Sequence, residues 1–169
     1  ADTSEFIYNA GCALDSCIKK EGADVGISMA VASLDDEVYC RANIKSAKHD
    51  EYRVNAWLLE NNIYAAKQSG AYKDYHKIYD HVLRNVSEEV CNEDFAGLSI
   101  GSLDVGSVYN YSCSIPITNA SWDANNMEVL IVVCAKDENG MWEVANSAVC
   151  PVNSKKSYEH VRMHTLDTP

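Results

Sequence analysis

The chain has 169 residues, the size of one domain, with 47% apolar and 23% charged residues, a globular composition that excludes wholesale disorder. Fourteen Lys+Arg against twenty-five Asp+Glu leave a net charge of −11, a field that repels phosphate backbones, so no nucleic acid partner is expected. No run of about 18 apolar residues occurs, so no membrane-spanning helix is expected, and the N-terminal ADTSEF has neither part of a signal peptide.

Residues 4–20 read as an amphipathic helix. Phe6, Ala10, Leu14, Cys17 and Ile18 fall at helical spacing, Ser4 suits the N-cap, and Lys19 and Lys20 suit the C-terminal end before Gly22. The period then switches to two. Val25, Ile27, Met29 and Val31 alternate across 25–33, Asp35-Asp36 turns the chain, and Val38, Cys40, Ala42 and Ile44 alternate across 37–45, which predicts a hairpin. The run 52–59 is a third strand, with Val54, Ala56 and Leu58 on one face and Trp57 and Leu59 on the other. Residues 70–86 carry Tyr72, Tyr75, Tyr79, Val82 and Val86 at helix-like intervals and read as a helical turn leading into an edge segment. Residues 87–106, acidic and then punctuated by Gly97, Gly101 and Gly106, read as connection.

Strands resume at 107–117 and 127–135, the second apolar on both faces and therefore central. Asp137-Glu138-Asn139-Gly140 turns the chain into a strand at 141–150, and 152–169 reads as a polar tail. Six strands without strand–helix alternation predict a mainly β fold: an antiparallel immunoglobulin-like β-sandwich over 23–151, with one short N-terminal helix.

Candidate chemistry is sparse. The seven cysteines are an odd number and include no C-x-x-C, and Cys12 and Cys17, five apart on the predicted helix, point away from each other. Cys40, Cys113, Cys134 and Cys150 lie in strand-like runs, where a lone cysteine acts as a small buried hydrophobe. Cys113 and Cys134 are expected in adjacent or facing strands, reduced or at most paired with each other. Gly97-Leu98-Ser99-Ile100-Gly101 matches the G-x-S-x-G of a nucleophile elbow, but neither a preceding strand nor a following helix is predicted, so no catalytic serine is expected. His76 with His81, and His160 with His164, lack a third ligand at short spacing, and the turn at Asp137 lacks the closing glutamate of a calcium loop; no metal or other cofactor is expected. Asn85, Asn110 and Asn119 stand in N-x-S/T sequons. A candidate binding face is formed by Tyr72, Tyr75, Tyr79, His81 and Trp122.

Three stretches carry a resemblance: Val54-Asn55-Ala56-Trp57-Leu58-Leu59-Glu60-Asn61-Asn62-Ile63, Tyr79-Asp80-His81-Val82-Leu83-Arg84 and Trp122-Asp123-Ala124-Asn125-Asn126-Met127-Glu128-Val129. In this order, over about 25–150, the chain resembles the outer-membrane lipoproteins of Bacteroides-like bacteria in which a β-sandwich follows a thioredoxin-like domain, often labelled thiol-disulfide isomerases. The resemblance implies that 1–22 is a helix left from that preceding domain, that the chain is a fragment, and that its location is the cell envelope, with membrane attachment only through a lipid anchor outside this chain. The redox pair of such a domain would be a C-x-x-C, so no catalytic residue carries over. The expected function is a non-catalytic binding or spacer module; the alternatives are direct thiol-disulfide exchange and a carbohydrate- or peptide-binding domain. The expected partners are another protein, the upstream thioredoxin-like domain, or a second copy docked through the N-terminal helix.

Overall fold

The period-two segments form strands in the computed structural model, which describes residues 23–67, 73, 77–91 and 93–158. The strands are β1 (Val25–Leu34), β2 (Glu37–Ser46), β3 (Asp50–Glu60), β4 (Ile63–Tyr64), β5 (Ile78–Tyr79), β6 (Val82–Val86), β7 (Leu98–Leu103), β8 (Val108–Pro116), β9 (Met127–Lys136), β10 (Trp142–Pro151) and β11 (Ser154–Lys156). The described residues include the one-turn α1 (Glu88–Cys91) and a 3-10 turn at Ala124–Asn126. The helix expected at 4–20 lies outside the described residues.

Among the described residues two large antiparallel sheets result, neither closed into a barrel, besides the two-stranded β4-β5 pair. One runs β11-β1-β2-β8; the other runs β10-β9-β3-β6, with β7 also on β3. Alternate residues of both enter one core, among them Ile27, Met29, Ile44 and Ile115 from the first sheet and Val54, Leu58, Val129 and Ile131 from the second. The two tyrosines of this core keep their hydroxyls bonded: Tyr52 to Ser46 Oγ at 2.8 Å and Tyr111 to Ser87 Oγ at 3.1 Å. Unbonded, each buried hydroxyl would cost about 1–3 kcal/mol.

Four expectations need correction. Residues 87–106 are not all connection: α1 and β7 lie within them, and of the glycines that read as punctuation Gly97 sits before β7, Gly101 inside it and only Gly106 in the turn after it; β7 pairs with β3. The tail contributes β11, whose Ser154–Lys156 pair with Val31–Met29. Cys113 and Cys134 are both buried, but Cys113 faces the core whereas Cys134 lies on the outward side of β9, so they cannot pair with each other. Of residues 70–86, read as a helical turn leading into an edge segment, Tyr79 lies in β5 and Val82 and Val86 in β6, which pairs with β3 at the edge of the sheet, so their helix-like spacing is not helical; 70–72 and 74–76 lie outside the described residues.

Gly97 shows why a glycine stands at the start of β7. Its φ is +90°, and a Cβ there would lie 2.4 Å from Val54 O and 2.6 Å from Asn55 Oδ1. Gly101 also has a positive φ, but open space surrounds the Cβ position. Gly97→Ala is therefore expected to cost about 2–4 kcal/mol and Gly101→Ala about 1 kcal/mol in urea denaturation. Equal costs would refute the close approach of residue 97 to β3.

Candidate functional site

Residues 61–81 leave the end of β3 and return to β6. Two non-glycine residues with left-handed backbone bracket the excursion, Asn62 (φ 59°) and His81 (φ 56°), both types that tolerate this region better than most. Side chains lock the crossing: Asn62 N donates to Asp80 Oδ1 at 2.8 Å, and His81 N donates to Asn61 Oδ1 at 2.7 Å. Beyond it, Ile63 and Tyr64 of β4 pair with Tyr79 and Ile78 of β5.

Two buried carboxylates hold this end of the sandwich. Glu60 extends the inward-facing set of β3 and accepts from Arg84 Nε at 2.6 Å and from Asp123 N at 3.0 Å. The Arg84 guanidinium also lies 5.3 Å from the centre of the Trp122 ring, within cation–π range. Glu128 neighbours Leu59 on the outward set and meets His81 Nδ1 at 2.5 Å. Asp123 then caps the 3-10 turn, its Oδ1 accepting from Asn125 N at 2.9 Å, and Asn61 N donates to Asn126 O at 2.9 Å. The three stretches that carry the sequence resemblance thus meet at one end of the β10-β9-β3-β6 sheet.

Of the candidate binding face, Tyr79 is half-buried in β5, His81 is exposed, and Trp122 is half-buried against the core. His81 and Trp122 share this end of the sandwich, but their partners Glu128 and Glu60 lie on opposite faces of the sheet. Tyr72 and Tyr75 lie outside the described residues, as do His76, His160, His164, Cys12 and Cys17. The sequence reading named neither Glu60, Arg84 nor Glu128 as site residues. The available signal was an acid inside each of two apolar runs, Leu58-Leu59-Glu60 and Met127-Glu128-Val129, where burial requires a partner.

The other nucleophiles are built into the scaffold. Ser99 of the G-x-S-x-G stretch is exposed on β7, with no helix following it. Cys40 and Cys113 are directly opposite in the β2–β8 ladder. That ladder hydrogen-bonds at its two ends, Ile117 N to Asp36 O and Ser46 N to Ser107 O. Asp36 and Ser46 are each an even number of residues from Cys40, so Cys40 and Cys113 form a hydrogen-bonded pair. Such pairs hold Cβ atoms near 5.5 Å apart, beyond the 3.5–4.5 Å of a disulfide. The hydrogen bond with Cys113 and burial push the Cys40 thiol far up, and burial raises those of Cys134 and Cys150.

A cleft of about 340 Å³ lies on the outward face of β3, β9 and β10, between Trp57, Phe95, Val132, Cys134, Trp142 and Val144. Its wall is the segment before β7, held by Asn55 Nδ2 donating to Phe95 O (3.1 Å) and Arg53 Nη1 donating to Asp94 Oδ1 (2.9 Å). Arg53 and Lys136 each approach the Trp142 ring, at 4.8 and 5.0 Å from its centre.

Arg84→Ala leaves the buried Glu60 without its cation and is expected to cost about 3 kcal/mol in chemical denaturation. His81→Ala, removing a solvent-exposed partner, is expected to cost under about 1 kcal/mol. The reverse ranking would show that Glu128, not Glu60, holds this end together.

A model of the family described as outer membrane protein Omp28 matches residues 1–153. A comparison with curated proteins finds no match. The family match bears out the outer-membrane part of the sequence resemblance and a location in the cell envelope. With nearly the whole chain covered by that match, this protein belongs to the outer membrane protein Omp28 family.

Proposed function

We propose that this chain is a non-catalytic module of the cell envelope that binds a protein partner through the loop end carrying Tyr79, His81 and Trp122. The observation that carries the reading is the bracing of that end. Glu60 and Glu128 spend their ion pairs on fixing His81 and Arg84, where the chain returns to the sheet, and Asp123 in the 117–126 connection, and residues positioned by a braced scaffold at the end of a sandwich are favourable for binding. The strand order β1-β2-β8 against β10-β9-β3-β6 follows the A-B-E and G-F-C-C′ order of immunoglobulin domains, which supports an immunoglobulin-like sandwich. A thioredoxin-like domain ahead of residue 1 is part of the same proposal. A C-x-x-C between a strand and a helix in the reading frame upstream of Ala1 would support it.

The thiols separate this reading from direct disulfide exchange. Iodoacetamide applied to the native protein is expected to modify exposed Cys91 and to spare Cys40, Cys113, Cys134 and Cys150. The four are expected to alkylate after denaturation without reductant, and scrambled ribonuclease should regain no activity in the presence of the protein. Isomerase turnover that is lost on Cys→Ser replacement would overturn the reading. For the binding face, a photo-crosslinking side chain at position 81 in envelope membranes is expected to give a discrete protein adduct. One at position 39, on the outward face of the other sheet, should give none. Equal labelling from both positions, or none from position 81, would reject the loop end as the contact.

A further inference from the structure

The cleft on the outward face of β3, β9 and β10 gathers large apolar groups that a sheet surface rarely leaves in water. Phe95 is 76% exposed and Val144 63% exposed, beside half-buried Trp57 and Trp142 and over a floor of Val132 and Cys134. Scattered singly such residues need no explanation, but gathered around one concave site they call for an occupant.

Charge narrows what that occupant is. The residues lining the cleft include three acids, Glu93, Asp94 and Glu143, and no base. Arg53 and Lys136, which pack on the Trp142 ring, are engaged by Asp94 and Glu51. Glu93 and Glu143 are exposed and have no ion pair among the described residues. In a chain of net charge −11 such a site draws a cation and opposes a second copy.

The chain itself uses one arrangement twice. The Arg84 guanidinium lies 5.3 Å from the centre of the Trp122 ring while its Nε donates to Glu60 at 2.6 Å. The Arg53 guanidinium lies 4.8 Å from the centre of the Trp142 ring while its Nη1 donates to Asp94 at 2.9 Å. In each case a planar, weakly hydrated cation is shared between a tryptophan and a carboxylate, a setting that suits arginine better than lysine. Trp57 is the third tryptophan of the chain. It lines the cleft together with Glu93 and Phe95, and no cation of the described residues lies over its ring. The cleft thus presents the ring and the carboxylate of this arrangement without the guanidinium. Its volume, about 340 Å³, is at the small end for ligand pockets and suits a few side chains of a peptide.

We propose that this cleft binds an arginine flanked by apolar residues in a partner polypeptide, the guanidinium taken up by Trp57, Phe95 and Glu93 and the flanking side chains by Val132, Cys134 and Val144. Tryptophan and arginine in a concave, water-poor site are the usual anchors of a protein contact. The site is separate from the loop end that carries Tyr79, His81 and Trp122, and its test does not depend on that contact.

A blocked leucyl-arginyl-leucine peptide, titrated into the isotope-labelled full-length chain, tests this by NMR. The indole N–H signals of Trp57 and Trp142 should shift saturably, and that of Trp122 should stay in place. The citrulline peptide, isosteric but uncharged, should bind about tenfold more weakly, and the lysine peptide about threefold more weakly. Glu93→Gln and Phe95→Ala change exposed side chains, so the melting temperature should stay that of the parent while affinity for the arginine peptide falls about fivefold in each. Asp36→Asn, at an exposed acid in the turn between β1 and β2, should leave the affinity unchanged. Citrulline or lysine peptides that bind as tightly as the arginine peptide would overturn the proposal. So would unchanged affinity in Glu93→Gln, or a Trp57 signal that does not move at about 5 mM peptide. Movement of the same signal on diluting the protein alone would overturn it in favour of a second copy as the occupant.

Discussion

The fold depends on the need of one strand, β3, to satisfy hydrogen bonds along both of its edges. On one edge β9 pairs with it from Tyr52 to Glu60. On the other, β7 serves Asp50 to Val54 and β6 serves Trp57 to Glu60, so no single strand covers the edge. The gap between them is closed piecemeal: Ser87 N donates to Ala56 O at 3.0 Å, and the Asn55 side chain bonds Phe95 O. An interior strand that leaves donors and acceptors unmet loses about 1–3 kcal/mol for each, so the chain between β6 and β7 has to stay close.

That requirement shapes the outward surface. The segment from α1 to Gly97 is drawn across the sheet, where Ala96 is fully buried over Val132 and Cys134. It stops short of β10, and the uncovered strip between Phe95, Trp142 and Val144 is the cleft. Gly97 belongs to the same constraint, because only a residue without Cβ can pass Val54 O at this distance with φ +90°. The cleft is thus a consequence of how β3 completes its second edge.

The far end of β3 meets the opposite problem, a strand that stops in a buried place. Glu60 terminates the inward row and would be a buried unpaired charge without Arg84 and the Asp123 amide. Satisfying it brings together segments 24 and 63 residues away along the chain. Glu128 performs the same service on the outward row through His81. Charge burial therefore specifies the loop conformation, and the ring of Trp122 is positioned by the cation that neutralises Glu60.

The sequence alone determined the strands with strong alternation. Val25–Leu34 and Glu37–Ser46 were legible because one buried face imposes a period of two, Met127–Lys136 because it is apolar on both faces, and the inward Val54, Ala56 and Leu58 were separable from the outward Trp57 and Leu59. Leu98–Leu103 and Ser154–Lys156 were not legible: each is short, and each is a strand only because β3 or β1 offers an edge to pair with. Likewise, Glu60, Arg84 and Glu128 stood out only as members of the stretches that carry the resemblance, and His81 only as part of a candidate binding face. Only the tertiary structure decided that they form one braced end, because a carboxylate's need for a partner follows from its burial, and burial is a property of the packed sheets and not of any local pattern.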